Sequence, residues 1–181
     1  MRCPNRKRRR WPNKATESRY IVKTTNDDRA ADEVALFQKL ARYCAYQERC
    51  RQEVRLKLAG LGVRGAAETA RWIERLEAEG FLDENRFARA YCRGKFRQNH
   101  WGRRKIIMGL RAKGISAGDV ADGLSEIDAA DYESTGRAVL QTKGWQTALG
   151  RGFEAALLRE WAKDLAVEVG EEDEGEDLIS Q

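Results

Sequence analysis

The sequence predicts an all-α fold of tandem three-helix repeats that form an elongated, curved helical stack. Only 2 of the 181 residues are proline, and 35% are charged, which suits helices with solvated faces. Apolar residues recur at three-and-four spacing in short segments that end at glycines. This pattern returns after about 50 residues, as in repeat proteins whose units contact mainly their neighbours.

Residues 1–29 are predicted to be a basic, disordered N-terminal arm. The cations from Arg6 to Arg10 directly precede Trp11, and blocks of like charge repel one another. A short strand at Tyr20–Val22 is the only regular structure that the arm suggests. Alternatively, the arm adds phosphate contacts and Trp11 stacks on a base.

Residues 30–80 are predicted to form the first three-helix repeat. The helices are expected at about Asp32–Gln47, Cys50–Ala59 and Ala66–Glu79, with Gly60 or Gly62 ending the second. The side chains expected to face inward are Val34, Phe37, Leu40, Ala41, Cys44, Val54, Leu58, Thr69, Trp72, Ile73 and Leu76.

Residues 81–130 are predicted to form the second and most basic repeat. Gly80 can end the preceding helix in a left-handed conformation, and Asp83 can cap the next one. The same pattern recurs where Gly114 ends a helix and Ser116 begins another, with Asp119 three residues on. These capped joints indicate short, packed helices.

A shift of 52 residues superimposes the first repeat on the second, placing Val54 on Ile106, Leu58 on Leu110, Gly62 on Gly114 and Val63 on Ile115. A shift of 38 residues places Gly152 and Phe153 on the last two positions. Residues 131–169 are therefore predicted to be a shortened third repeat, whose middle helix is missing or reduced to Trp145–Gly150. Residues 170–181 are strongly acidic and are predicted to be a disordered tail.

Charge is distributed unevenly along the chain. Residues 42–115 carry eighteen Arg and Lys against eight Asp and Glu, a net +10, whereas residues 116–181 carry a net −11. A polyanion such as nucleic acid is expected to contact the basic part, and a basic partner the acidic tail.

The second repeat carries the candidate DNA- or filament-binding residues. Arg86, Arg89, Arg93 and Arg97 are spaced to form one stripe along a helix. Lys95 falls on the apolar side and must either extend outward to solvent or end the buried face. No acidic residue lies between Asn85 and Gly118. The stripe could serve solubility alone, but mutual repulsion without nearby acids favours an anionic partner. The full predicted set is Arg86, Arg89, Arg93, Lys95, Arg97, Arg103, Arg104, Lys105, Arg111 and Lys113, with Trp101 as a stacking residue or loop anchor.

No catalytic or metal site is predicted, and no cofactor. His100 is the only histidine and lies in a loop without a Cys or carboxylate cluster nearby. Cys44, Cys50 and Cys92 lie in helical segments without a C-x-x-C pair and are interpreted as small apolar fillers, which favours a reducing compartment. Without a signal-like or membrane-spanning segment, we expect a soluble, cytoplasmic binding protein.

Three segments together resemble the RecX family of bacterial regulators of the RecA recombinase. They are Y-C-A-Y-Q-E-R-C-R-Q-E-V-R-L-K-L from Tyr43, E-G-F-L-D-E-N-R-F-A-R-A-Y from Glu79, and W-G-R-R-K-I from Trp101 continuing to L-R-A-K-G-I at Ile115. The likeness is dense over about residues 34–127. The form Y-C-A-Y-Q-E-R-C resembles the Bacteroidetes-type branch. The short third repeat and the long basic arm depart from the family pattern.

The resemblance implies a negative regulator of RecA in DNA repair, homologous recombination and the SOS response. Such a protein binds in the groove of the RecA filament on single-stranded DNA and limits filament growth or promotes disassembly, which lowers ATPase, strand-exchange and co-protease activity. The alternatives are a stand-alone, sequence-independent nucleic-acid-binding helical module and a helical scaffold for another protein. A monomer is expected, because no repeat has a second apolar face left over.

Overall fold

The structure, a computed structural model, describes the backbone of residues 26–165 and the side chains from Arg29 onward. Within this range the chain forms helices and no strand. The all-α prediction is confirmed, as is the prediction of tandem three-helix units. The helices are α1 (Asn26–Tyr46), α2 (Arg51–Gly60), α3 (Ala66–Ala78), α4 (Glu84–Asn99), α5 (Arg103–Ala112), α6 (Ala117–Leu124), α7 (Ala129–Lys143), α8 (Trp145–Gly150) and α9 (Ala155–Leu165).

The described part of the chain divides into two units, one ending at Phe37 and the other beginning at Gln38. In the first, the prediction that Val34 faces inward is wrong, because its side chain is 52% exposed. In the second, Leu40 and Cys44 are buried as predicted. Helix α1 begins at Asn26, earlier than the predicted start near Asp32.

Several predictions lie outside the described residues. These are the strand at Tyr20–Val22, most of the basic arm, and the acidic tail at 170–181.

The predicted repeat register is visible in three identical helix ends. Each middle helix, α2, α5 or α8, is followed by a glycine with positive φ, at +91° for Gly62, +76° for Gly114 and +87° for Gly152. The next residue is buried and donates its N–H to a carbonyl five positions earlier, as in a Schellman motif. These bonds are Val63 to Leu58 (3.0 Å), Ile115 to Leu110 (3.2 Å) and Phe153 to Ala148 (3.3 Å).

The middle helices differ in length. Helices α2 and α5 each have 10 residues, whereas α8 has 6. The prediction of a middle helix reduced to Trp145–Gly150 is thus confirmed. Because the three C-terminal ends coincide in the repeat register, the four missing residues come from the start of α8.

Side-chain caps hold the helix starts near the basic segment. The Asp83 carboxylate accepts from the Arg86 N–H at 2.9 Å, and the Ser116 hydroxyl accepts from the Asp119 N–H at 3.1 Å, both as predicted. Asp128, which the sequence did not single out, caps α7 through the Ala130 and Asp131 N–H groups. A cap of this kind contributes about 1 kcal/mol.

One continuous core joins α4 to α9. It includes an aromatic group in which Tyr132 packs against Phe96, Phe153 and Trp161, with ring centroids 5.9, 5.2 and 6.4 Å away. Helix α6 approaches α4 closely at Gly123, where a Cβ atom would lie 2.9 Å from the Cys92 sulfur. The core therefore sets the outer faces of α4 and α5 on a rigid base.

Candidate nucleic-acid interface

The predicted arginine stripe exists on α4. Arg86, Arg89, Arg93 and Arg97 are all exposed, while the opposite side of the helix buries Phe87, Ala88, Cys92 and Phe96. The placement follows from spacing of three and four residues, which keeps side chains on one face.

The stripe nevertheless has carboxylate partners, and the expectation that its charge is unopposed is wrong. Glu126, in the turn after α6, accepts Arg89 on one oxygen at 3.1 Å and Arg93 on the other at 3.0 Å. Arg89 also donates to the side-chain amide oxygen of Asn85 at 2.9 Å. These two guanidinium groups, each nearly half exposed, thus share a single negative charge.

Two more predicted cations are paired with acids from the first repeat. Arg86 lies 2.6 Å from Glu48 and also donates to the Gly80 carbonyl at 3.1 Å. Lys113 lies 2.7 Å from Glu53, and its side chain is only 26% exposed. The ion pairs of these two side chains therefore link the second repeat to the first, and part of each side chain remains exposed to solvent.

The junction of α4 and α5 has a different character. Two ammonium groups lie over the Trp101 ring, since Lys95 Nζ and Lys105 Nζ are each 4.9 Å from its centroid. Lys95 thus leaves the apolar side of α4 by lying along aromatic rings, the Tyr91 ring at 5.4 Å included. Its side chain is partly buried, and the buried face of α4 continues past it to Phe96.

The loop carrying Trp101 is held by the loop between α8 and α9. The Gly102 N–H donates to the Arg151 carbonyl at 2.8 Å, and the Arg104 N–H donates to the Gly152 carbonyl at 3.1 Å. In addition, Lys105 Nζ donates to the Gly150 carbonyl at 3.0 Å. Trp101 is therefore presented on a braced loop, with Lys95 on α4 and Lys105 on α5 beside it.

Arg103 is oriented by the core tyrosine. Its guanidinium lies 4.0 Å from the Tyr132 ring centroid, and its backbone N–H donates to the Tyr132 hydroxyl at 3.0 Å. That hydroxyl donates in turn to Glu154 at 2.5 Å. Burial, together with this bond to a carboxylate, raises the pKa of Tyr132 well above its ordinary value, so the hydroxyl stays protonated.

We call the group formed by Lys95, Arg97, Trp101, Arg103, Arg104 and Lys105 the corner cluster. Among residues 29–165, none of its five cations is ion-paired with a carboxylate, and the same holds for Arg111 further along α5. Arg97, Arg104 and Arg111 are exposed. This part of the predicted set is thus the most available to an anion.

Sequence reasoning missed several residues that shape this surface. Glu48, Glu53 and Glu126 lie outside the basic segment, and local spacing gives no signal for pairs 33 to 60 residues apart. Arg151, whose guanidinium donates to the Asn99 carbonyl at 3.2 Å, could have been found, because it directly precedes the repeat glycine Gly152.

His100 and the three buried cysteines lie at positions where they support the fold. His100 ends α4 in a left-handed conformation with φ 51°. Cys44, Cys50 and Cys92 are buried free thiols, as predicted for apolar fillers, and burial raises the pKa of Cys92 to about 11. Within residues 26–165 no helix is both long and apolar enough to cross a membrane.

Comparisons with known proteins point to one family. Residues 83–124 match the family model described as RecX, second three-helix domain. A regulatory protein RecX of Lactobacillus johnsonii (strain CNCM I-12250 / La1 / NCC 533) is 32% identical over 116 residues, which cover 64% of this chain and 42% of that protein. The match thus spans less than half the length of this curated relative.

Two solved structures share the fold. One is RecX from Lactobacillus salivarius, with a TM-score of 0.65 and 22% identity over 76% of this chain and 98% of that chain. The other is a regulatory protein RecX, with a TM-score of 0.63 and 18% identity over 77% and 79% of the two chains. The predicted family resemblance is confirmed, whereas the Bacteroidetes-type branch stays a prediction.

Proposed function

The chain belongs to the RecX family, and we propose on that premise that it is a negative regulator of RecA. It binds the RecA filament on single-stranded DNA within the filament groove, and it limits filament growth or promotes disassembly. ATP hydrolysis, strand exchange and co-protease activity fall as a consequence. The protein acts by binding, without a catalytic group or cofactor.

The corner cluster is the observation that carries the DNA-proximal part of this proposal. Its five cations have no ion-paired carboxylate within residues 29–165, and two of them lie 4.9 Å from the Trp101 ring centroid. Phosphates attract such cations without regard to base sequence, and each phosphate contact increases the dependence on salt. An aromatic ring among the cations adds a surface on which a base can stack, worth about 1–3 kcal/mol.

In this proposal the arginines paired with Glu126 contact DNA after the corner cluster does. Arg89 and Arg93 already share the negative charge of Glu126, so they attract an anion less strongly than Arg97 or Arg104. We therefore assign first contact with the DNA backbone to the corner cluster. The stripe on α4 contributes to affinity afterwards, when DNA phosphates replace Glu126 as the partner of its arginines. This exchange is easy because each exposed ion pair contributes about 1 kcal/mol or less.

A stand-alone nucleic-acid-binding module is the second candidate, because the same cations favour it. Such a module binds naked DNA tightly at low salt and acts on RecA only by occupying its DNA. A filament regulator also acts when DNA is in excess. These two functions therefore predict different responses to competitor DNA.

The test is a titration of RecA ATPase on single-stranded DNA, using RecA from the same organism. The protein should slow ATP hydrolysis when present at fewer copies than RecA, and added free DNA should not restore the rate. Inhibition that disappears in proportion to added DNA supports the stand-alone module instead. An unchanged rate at equimolar protein rules out the regulator.

A further inference from the structure

Two large apolar side chains are exposed at the same position of successive repeats. Leu56 on α2 is 68% exposed and Met108 on α5 is 70% exposed. Leu56 lies six residues before Gly62, and Met108 lies six residues before Gly114. These are the left-handed glycines that follow α2 and α5. The corresponding position of the third repeat, six before Gly152, is occupied by the exposed polar residue Gln146.

The fold does not need these side chains. Their neighbours Val54, Leu58, Ile106 and Leu110 fill the core at 0% exposure, while Leu56 and Met108 project outward. A single exposed apolar residue is ordinary in a soluble protein. That general tendency does not explain why an exposed apolar side chain recurs at the same position of two repeats with nearly equal exposure.

Cations lie near both positions. Arg104 and Arg111 lie one helical turn to either side of Met108, whereas Arg55 and Lys57 are the sequence neighbours of Leu56 and Glu53, paired with Lys113 at 2.7 Å, lies one turn before it. Arg104, Arg111, Arg55 and Lys57 are all exposed, and no acidic residue occurs within α5. A surface that receives either side chain offers an apolar depression, and acidic residues at its rim would complement Arg104 and Arg111 around Met108.

We propose that Leu56 and Met108 are equivalent anchors that contact successive subunits of the RecA filament. This inference rests on the proposed function, since it names the repeating partner. A filament presents the same depression on each subunit, and tandem repeats present the same anchor on each unit. Two weak contacts joined in one chain reinforce each other, because the second forms at high effective concentration.

A second copy of this chain is the competing occupant. Specific protein interfaces bury about 800 Å² per partner, far more than two separate side chains supply. A symmetric pairing would also bring the flanking cations of both copies together. Both considerations favour the filament.

The experiment measures inhibition of RecA ATPase on single-stranded DNA by Leu56→Gln, Met108→Gln and the double variant. Thermal unfolding of each variant should match the unmodified protein, because both side chains are exposed. We expect the half-inhibiting concentration to rise about tenfold for each single change and about a hundredfold for the double variant, since separate contacts add. The matched control is Gln146→Ala, which should leave inhibition unchanged.

The outcomes separate this inference from the proposed function. No inhibition by the unmodified protein removes the proposed function itself. Full inhibition by the double variant leaves that function standing and overturns the anchors. A dimer of the unmodified protein in sedimentation that Leu56→Gln converts to monomer also overturns them, in favour of self-association. Gln146→Met, which restores the anchor in the third repeat, should lower the half-inhibiting concentration.

Discussion

A Cβ atom added to Gly102 would lie 2.2 Å from the carbonyl of Gly152, so the backbones of these two glycines are in direct contact. The contact joins the loop of the corner cluster to the loop between α8 and α9. No side chain can occupy the space between them without moving one backbone.

Gly102→Ala should therefore destabilise the fold. Overpacking of this kind costs about 1–3 kcal/mol, and here the obstacle is backbone rather than a movable side chain. Thermal or urea unfolding measures the loss. The matched control is Gly94→Ala in α4, where a Cβ meets nothing within 4 Å and the change should add about 0.5–1 kcal/mol. Equal stability of the two variants would contradict the close contact.

Glu126→Gln should release both of its arginines. We expect a change in unfolding free energy of about 1 kcal/mol or less, because the pairs with Arg89 and Arg93 are partly exposed. If DNA contacts this face, affinity for single-stranded DNA should rise, and the salt dependence should steepen by about 0.7 for each newly engaged phosphate. Fluorescence anisotropy with labelled oligonucleotide over a range of salt measures both quantities.

The control for that change is Glu133→Gln, which removes one of the two carboxylate partners of Arg137 in the third repeat, the other being Asp164. It alters the net charge by the same amount at a different place. Equal effects of the two variants on DNA binding would show a response to net charge alone and count against a role for the α4 face.

Reversing charge in the corner cluster should weaken DNA binding without loss of fold. The double variant Arg97→Glu with Arg104→Glu changes two exposed side chains, so we expect unchanged unfolding and at least tenfold weaker binding with a shallower salt slope. The control, Lys143→Glu with Arg159→Glu, makes the same change in net charge on the third repeat. Binding that falls equally in both would contradict the assignment to the corner cluster.

Alkaline pH should destabilise the protein through Cys92. Burial raises the pKa of this thiol to about 11 from an ordinary 9.0, so the folded state favours the protonated form. The resulting stability is fully present below pH 9 and is lost as pH rises through about 11. At 1.36 kcal/mol for each unit, the loss is about 2–3 kcal/mol.

Unfolding free energy of the unmodified protein and of Cys92→Ala, compared from pH 8 to pH 11, checks this prediction. The variant starts lower because it leaves a small cavity, but its stability should fall less with pH. Parallel curves for the two proteins would rule out a raised pKa at Cys92.

Local chemistry in the sequence was enough to predict the helix joints. Asp83 and Ser116 are caps, and Gly80 and Gly114 are left-handed, because each of these features depends on residues within one helical turn. The repeat register followed for the same reason. It depends on the recurrence of a local turn, which a shift of 52 residues detects.

The electrostatic partners could not be predicted in this way. Arg89 and Arg93 belong to a segment without acids, yet Glu126 reaches them because α6 folds back onto α4. Likewise, the contact between Gly102 and Gly152 depends on how two loops meet, not on either loop alone. Sequence spacing therefore found the basic face but not how much of its charge is available.

The missing start of α8 shows how the length of a unit can change without reorienting what remains. Four residues are close to the 3.6 of one α-helical turn, so removing them rotates later side chains by only about 40° relative to the chain that precedes them. A deletion of two residues would turn them by about 160° and present the wrong side to the core. Middle helices in this architecture can thus lengthen or shorten in steps of a whole turn.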